Sequence, residues 1–256
     1  MSIENEKEVQ QLKNRLHDLA EKASRQGVFS FTGFLGLSEQ DAFWQIEREL
    51  RYVGYELFGG LEENDRKVIR FGNAEEFGYE MPFPIVCIHI KPLLPKFADN
   101  LSHRDFLGAL MNLGIDRSTL GDIKVGEKEA YLFCLESIAE YICENLDKVR
   151  HTNVKCVVTE DYKEVAEEEP EIMNIQVASM RLDAILAKVC HKSRSECLAL
   201  FSSGKVYVNG RLCENNSRLL KGDETVNARG YGKFKLCGEA KETRKGKWNV
   251  PVAVYR

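Results

Sequence analysis

The chain has 256 residues, 43% hydrophobic and 30% charged, enough for two or three domains that each have a core. No apolar run reaches the length of a membrane span, and the polar, acidic N-terminus does not resemble a signal peptide. We therefore expect a cytoplasmic protein without a membrane partner. The eight cysteines include no Cys-x-x-Cys pair, which excludes a zinc knuckle. We expect reduced thiols in the core, and neither a metal nor another cofactor.

The net charge of −4 conceals an uneven distribution along the chain. From Ser179 onward, 16 Lys and Arg stand against 7 Asp and Glu, a net charge of +9, which leaves −13 for the preceding residues. A basic module attached to an acidic body is typical of a protein that binds nucleic acid through one of its domains.

The first segment, residues 1–76, is predicted to hold two helices followed by a β-hairpin. Apolar residues recur at spacings of three and four before Gly27, which predicts the first helix. Ser38 is predicted to begin the second helix in a capping-box pattern. The hairpin would carry the polar loop 62–65 at its tip. We expect a protein partner to dock on this acidic part of the chain.

The second segment, residues 77–165, alternates strand-like and helix-like stretches in the order β-α-β-β-α-β. This order predicts the ferredoxin-like arrangement that RRM domains also have. The arrangement hosts many functions and decides none of them. A charged, proline-marked stretch, residues 167–171, is predicted to connect it to the last segment.

The last segment, residues 172–256, carries short motifs in a fixed order. They are Arg181-Leu-Asp183, Lys192-Ser193-Arg194-Ser195, Ser203-Gly-Lys205-Val-Tyr-Val-Asn209-Gly210 and Lys221-Gly-Asp223. They predict two short helices that meet at a corner and then a β-hairpin, and Ser193 to Glu196 is predicted to open the second helix as a capping box. Cys197, Leu198 and Phe201 are expected on the inner face of the second helix. The fold class is therefore α+β, with a helical and hairpin segment, a ferredoxin-like domain and this αα-plus-hairpin module.

The corner between the two helices is the predicted RNA-binding site. A helix N-terminus there offers unpaired N–H groups and a partial positive charge, which suit a phosphate, and Arg can bind two phosphate oxygens at once. Asp183 is expected to hold Arg181 or to cap its helix rather than to touch RNA. The basic loop 241–247 is a further candidate for phosphate contact. The predicted RNA-binding residues are Arg181, Asp183, Lys192, Ser193, Arg194, Lys205, Asn209, Arg211, Lys233 and Lys245.

The ordered motifs resemble the S-four RNA-binding domain. With His103-Arg-Asp-Phe-Leu-Gly-Ala-Leu-Met-Asn-Leu-Gly-Ile115 and Gly121-Asp-Ile in its middle, nearly the whole chain is similar to the YlmH family of bacterial proteins. The resemblance implies a ribosome-associated protein that binds rRNA and tRNA on large subunits carrying a stranded peptidyl-tRNA, as in ribosome-associated quality control. The small S-four proteins that work there share the positions that are here Arg181, Asp183, Lys192 and Arg194.

An RNA-modifying or tRNA-processing enzyme is the alternative, because S-four domains are often fused to such enzymes. A pseudouridine synthase would need its catalytic aspartate in a Gly-Arg-Leu-Asp context, whereas Ser179-Met180 precedes Arg181 here. His103-Arg-Asp105 matches the start of a kinase catalytic loop, but neither a correctly spaced Asn nor a glycine-rich loop accompanies it. We therefore expect no catalytic residue and no catalysis.

Overall fold

The structure is a computed structural model that forms two compact units, the N-terminal unit, Met1–Glu167, and the C-terminal unit, Glu168–Arg256. The residues that it describes are 3–160, 170–222, 224–243 and 245–255. Asp223 of the predicted turn, Arg244 of the basic loop and residues 167–169 of the proline-marked connection lie outside the described residues. Within the described ranges, no helix is both long enough and apolar enough to cross a membrane.

The N-terminal unit begins with two helices and a three-stranded sheet. Its elements are α1 (Ile3–Gln26), β1 (Ser30–Phe31), α2 (Leu37–Leu50), β2 (Tyr55–Phe58), β3 (Val68–Phe71) and α3 (Ala74–Phe77). The sheet is antiparallel in the order β1-β3-β2, so the predicted hairpin is confirmed. The predicted cap of α2 is wrong. Gly36 rather than Ser38 precedes the helix, and its N–H donates to the Glu39 carboxylate at 2.6 Å.

The rest of the N-terminal unit is a five-stranded sheet with two helices on one face. Its elements are β4 (Ile85–Pro92), α4 (His103–Asn112), β5 (Leu120–Val125), β6 (Ala130–Leu135), α5 (Glu136–Asn145), β7 (Lys148–Val149) and β8 (Thr152–Thr159). The antiparallel order β5-β6-β4-β8-β7 confirms the ferredoxin-like prediction. Alternate residues such as Ile88 and Leu132 point towards Phe106 of α4 and Ile142 of α5, and form the core with them.

The first segment and the five-stranded sheet are joined by a shared core and by a polar anchor. Phe34 packs with Cys87 and Phe133 on the sheet face that the helices leave uncovered. The Asp122 carboxylate accepts from two backbone N–H groups of the β2–β3 loop, those of Asp65 at 2.6 Å and Arg66 at 3.2 Å. These contacts explain why residues 1–167 form one compact unit. The division into three domains stays a prediction.

The polar stretch 62–65 of the β2–β3 loop is held by buried contacts. Asn64 is only 2% exposed, and its side-chain amide donates to the Gly59 carbonyl at 2.7 Å. Glu62 is the one exposed residue among these four, all of which the structure describes. The loop therefore serves to attach the hairpin to the neighbouring sheet.

The C-terminal unit packs two helices against one face of a seven-stranded antiparallel sheet. Its elements are β9 (Glu171–Val177), α6 (Leu182–Val189), α7 (Arg194–Ser202), β10 (Val206–Val208), β11 (Arg211–Leu212), β12 (Thr225–Ala228), β13 (Gly232–Leu236), β14 (Lys241–Glu242) and β15 (Trp248–Tyr255). The sheet order is β11-β10-β12-β13-β15-β14, and β9 also pairs with β15. Phe201 of α7 is buried as predicted. Leu198 is 43% exposed instead, because Leu200 takes the buried position beside it.

The prediction that the cysteines are thiols in the core is confirmed in part. Five of the eight are buried, and the other three are half-buried. Burial raises the pKa of the Cys87, Cys134 and Cys156 thiols to about 12, so these side chains stay protonated at neutral pH and pack as small apolar groups. Among the described residues, no group of three or more His, Cys, Asp or Glu side chains is arranged to hold a metal ion.

Candidate nucleic-acid interface

The corner between α6 and α7 is a tight turn followed by a capping box. His191 adopts a φ of 52°, which is uncommon for a residue other than glycine, and the Lys192 N–H closes the turn on the Ala187 carbonyl. The Ser193 hydroxyl accepts from the Glu196 N–H at 3.3 Å, and the Glu196 carboxylate accepts from the Ser193 N–H at 2.9 Å. The predicted capping box is thereby confirmed.

The same capping box places a carboxylate where a phosphate was expected. Hydrogen bonds from Ser193, and then from Lys192, lower the pKa of Glu196 to about 2, so the group is charged at neutral pH. Its Oε1 also lies 3.3 Å from the Lys192 ammonium. A phosphate on the N–H groups of this helix end would meet the negative charge of Glu196. The geometry therefore favours phosphate contact with the side chains beside the helix end.

Beside the corner lies an open groove of about 600 Å³. Its floor is formed by residues 176–178, at the end of β9 and directly after it, together with the small side chains of Ala184 and Ala187. We name it the cationic groove, and its polar wall is formed by Lys188, His191, Lys192, Arg194 and Lys247. Because the walls are long cationic side chains and the floor is small and uncharged, the groove fits a phosphate-bearing strand.

Lys247 reaches the cationic groove from a distant part of the chain. It lies in the β14–β15 hairpin, directly before Trp248, which pairs with Val177 of β9. The N–H of Lys247 donates to the Thr243 hydroxyl, and the Thr243 N–H donates back to the Lys247 carbonyl, which fixes the hairpin end. The basic loop predicted from the sequence thus lies against the helix corner, through Lys247.

Arg181 and Asp183 form a two-point ion pair at the start of α6. The Arg181 Nε donates to Oδ1 of Asp183 at 3.0 Å, and Nη2 donates to Oδ2 at 2.9 Å. Burial acts to raise the pKa of Asp183, but the hydrogen bonds and charge of Arg181 outweigh it and hold the pKa below its ordinary value. Arg194 lowers the pKa of Asp183 further, so the positive charge of Arg194 also acts on this carboxylate. Asp183 holds Arg181, as expected.

Asn209 and Arg211 lie in the β10–β11 hairpin, away from the groove lining. Asn209 and Gly210 have φ values of 51° and 74°, the two left-handed residues of a type I′ turn, so the predicted hairpin is confirmed. The Asn209 side chain accepts from the Thr225 N–H at 2.9 Å. This bond gives Asn209 a structural task, whereas Arg211 is exposed on the short strand β11.

The remaining predicted lysines are spread over other parts of the C-terminal unit. Lys233 lies on β13 next to the buried Phe234, so its side chain points to the sheet face opposite the helices. Its ammonium is 5.6 Å from the ring centre of Tyr255. Lys205 is exposed before β10, and Lys245 is exposed in the β14–β15 hairpin. The structure brings together Lys192 and Arg194, and leaves these three lysines outside the groove lining.

Two groove residues, Lys188 and His191, were not predicted from the sequence. Together with Lys192 they follow the spacing i, i+3, i+4, which places side chains on one side of a helix end, so this signal was present. Lys247 belongs to the basic loop that the sequence indicated, but only the pairing of β15 with β9 brings it to the corner.

Two family models match the chain: "Putative RNA-binding domain in YlmH" over residues 80–164 and the S4 domain, the S-four module, over residues 180–226. The ribosome-associated protein quality control protein P2 of Bacillus subtilis (strain 168) is 28% identical over 200 residues, 77% of each chain. A solved structure, the cell division protein ylmH from Streptococcus pneumoniae, covers 64% of this chain and 95% of its own, with 19% identity and a TM-score of 0.48. The family models and the Bacillus subtilis relative confirm the resemblance to the YlmH family, whose RNA-binding domain is followed in this chain by an S4 domain.

Proposed function

We propose that this protein is a non-enzymatic RNA-binding factor that acts on the ribosome. The observation that carries the proposal is the cationic groove, in which four Lys and Arg side chains and one imidazole surround an open space of about 600 Å³. Phosphate contacts supply most of the affinity of proteins for nucleic acids. A groove that is cationic on both walls, within the basic part of an acidic chain, fits an RNA backbone.

The construction of the groove favours structured RNA. One wall belongs to the α6–α7 corner and the other contains Lys247 of the β14–β15 hairpin, so the bound strand would pass between two elements that are distant in the sequence. Arg194 can bind two phosphate oxygens at once, whereas the lysines act as point charges. An RNA whose backbone already follows the path between these walls loses less conformational freedom on binding, which favours a structured RNA.

The finer proposal is that the RNA is rRNA or tRNA on a large ribosomal subunit that carries a stranded peptidyl-tRNA. Two points support it: the name of the Bacillus subtilis relative, and the Arg-Leu-Asp and Lys-x-Arg positions that the family resemblance connects with this task. The protein would then act in the cytoplasm, where such subunits occur, as part of ribosome-associated quality control.

Sedimentation of cell lysate over a salt series tests the ribosomal proposal. The protein should migrate with large subunits at low salt and leave them at high salt, because phosphate contacts are lost as salt rises. An Arg194→Ala/Lys247→Ala variant should leave the subunits at lower salt than the parent. A protein that stays at the top of the gradient at every salt concentration, also in cells with stalled ribosomes, would contradict the proposal.

The alternative of an RNA-modifying enzyme rests on one feature, a pocket of about 350 Å³ in the N-terminal unit. Its charged residues, Glu56 and Arg70, are bonded to each other, and its Cys87 stays a protonated thiol because burial raises the pKa to about 12. Asp183, in the Arg-Leu-Asp motif, has both oxygens engaged by Arg181. Mass mapping of RNA nucleosides decides between the two functions, since a modification lost in a deletion strain would favour the enzyme.

A protein partner on the acidic N-terminal unit remains part of the proposal. The net charge of −13 before Ser179 supports it, whereas the ordered β2–β3 loop offers little free surface. Chemical crosslinking of the full chain in cells should map crosslinks from a second protein to this unit. Crosslinks confined to the C-terminal unit would leave RNA as the proposed partner.

A further inference from the structure

One face of the five-stranded sheet carries a stacked pair of rings. The helices α4 and α5 cover the other face, and the first segment covers Cys87 and Phe133 on this one. Next to them lie His89 on β4 and Tyr131 on β6, an opposite pair on two neighbouring inner strands. Their ring centres are 4.4 Å apart, and the angle between the ring planes is 10°.

The imidazole of His89 is held in place and still accessible. Its Nε2 lies 2.8 Å from Oε2 of Glu129, which fixes the ring orientation. Tyr131 is buried behind it, while the His89 side chain keeps 20% of its surface exposed. Because Tyr131 covers one side of the imidazole, a further flat ring can reach only the other side. Such a ring would extend the stack.

Three lysines surround the ring pair on the same face. Lys124 lies opposite Tyr131, and Lys91 and Lys155 form an opposite pair two residues along the strands from His89. Since side chains alternate between the two faces of a sheet, all three point to the side of the rings. Lys91 and Lys155 are exposed. The residues before Ser179 have a net charge of −13, so this local group of lysines runs against the charge of the unit.

We propose that this stacking face, formed by His89, Tyr131, Lys91, Lys124 and Lys155, binds single-stranded RNA. An unpaired base would stack on His89, and the lysines would hold the neighbouring phosphates. RRM domains stack bases on aromatic residues of their four-stranded sheet, and such stacking tolerates any base because every base has a flat face. The stacking face differs from the cationic groove in its ligand, which is an exposed base rather than a backbone alone.

The test uses the full chain with Arg194→Ala/Lys247→Ala as background, so that the groove contributes little. The probe is fluorescein-labelled decauridylate, and its affinity is measured by anisotropy over a salt series. His89→Ala should weaken binding at least about fivefold, the lower end of the loss of one stacked base. Lys91→Ala/Lys155→Ala should lower the magnitude of the salt slope by about 1.4 units, about 0.7 for each phosphate of a single strand.

Two controls separate stacking from other effects. His89→Phe keeps a flat ring without the Glu129 bond, so it should bind decauridylate as the background protein does. Lys7→Ala/Lys22→Ala removes two exposed lysines from α1 and should also leave binding unchanged. Three results would each overturn the proposal. His89→Ala could bind with the affinity of the background protein, His89→Phe could lose as much affinity as His89→Ala, or Lys7→Ala/Lys22→Ala could lose as much affinity as His89→Ala.

Photocrosslinking locates the base directly. Oligouridylate that contains 4-thiouridine should crosslink to peptides that hold His89 or Tyr131, and the yield should fall in Lys91→Ala/Lys155→Ala. Crosslinks found only in other peptides of the chain would overturn the proposal, even if the affinity changes were as expected.

Discussion

Replacing Arg194 and Lys247 together by Ala should weaken the binding of a structured RNA most strongly at low salt. The two residues stand on different elements and both line the cationic groove. Each lost phosphate contact lowers the magnitude of the salt slope by about 0.7–0.9 units, so the pair should lower it by about 1.4–1.8 units. Between 50 and 200 mM salt, the parent should therefore lose about 7–12 times more affinity than the variant.

Fluorescence anisotropy with a labelled RNA hairpin, repeated at several salt concentrations, measures this slope. The matched variant is Lys205→Ala/Arg211→Ala, which removes the same charge from the C-terminal unit outside the groove lining. Circular dichroism should report an unchanged thermal midpoint for both variants, since exposed cations change stability by only about half a kcal/mol. The assignment of the groove would be refuted if Arg194→Ala/Lys247→Ala kept the salt slope of the parent while Lys205→Ala/Arg211→Ala reduced it.

Three further predictions concern stability and ionisation. Leu186→Ala should lower the free energy of unfolding in urea by about 2–5 kcal/mol, because Leu186 is 0% exposed between the helices and the sheet. Leu198→Ala should change it by no more than about 0.5 kcal/mol. Similar losses in the two variants would contradict the packing. Asp122→Ala should cost about 1–3 kcal/mol in the same assay, because two N–H groups of the β2–β3 loop lose their acceptor; an unchanged midpoint would show that water replaces the carboxylate. The pKa of Glu196, followed by NMR, should be about 2 and should rise in Ser193→Ala. Because this pKa is lowered by folding, the stability that the cap contributes is present above the ordinary value and is lost as the pH falls towards 2.

The C-terminal unit was largely predictable because its signals are local. The capping box from Ser193 to Glu196 and the Asn209-Gly210 turn need only neighbouring residues, and both were identified. Leu198 was misplaced because two leucines two positions apart compete for one inward position, and only the packing of α7 shows that Leu200 takes it.

The cationic groove was predictable only in part. The sequence identified Lys192 and Arg194 but expected the phosphate on the N–H groups of the helix end. The capping box already implies that the Glu196 side chain occupies the Ser193 N–H, so the two expectations were in conflict, and the structure shows the capping box. Lys247 depends on strands that are far apart in the sequence, as does the anchoring of the β2–β3 loop by Asp122. Contacts of this kind come from tertiary pairing, which periodicity does not encode.

The pairing of β9 with β15 has a consequence for folding during synthesis. In the described residues β9 pairs with no other strand, and the ribosome makes β15 much later than β9. Until then the apolar side chains of Ile172 and Ile175 belong to an unpaired edge, which favours aggregation. Such a long-range pairing also forms slowly. The groove floor and Lys247 are both placed by this pairing, so a nascent chain should acquire the groove among the last features to fold, after the helix corner.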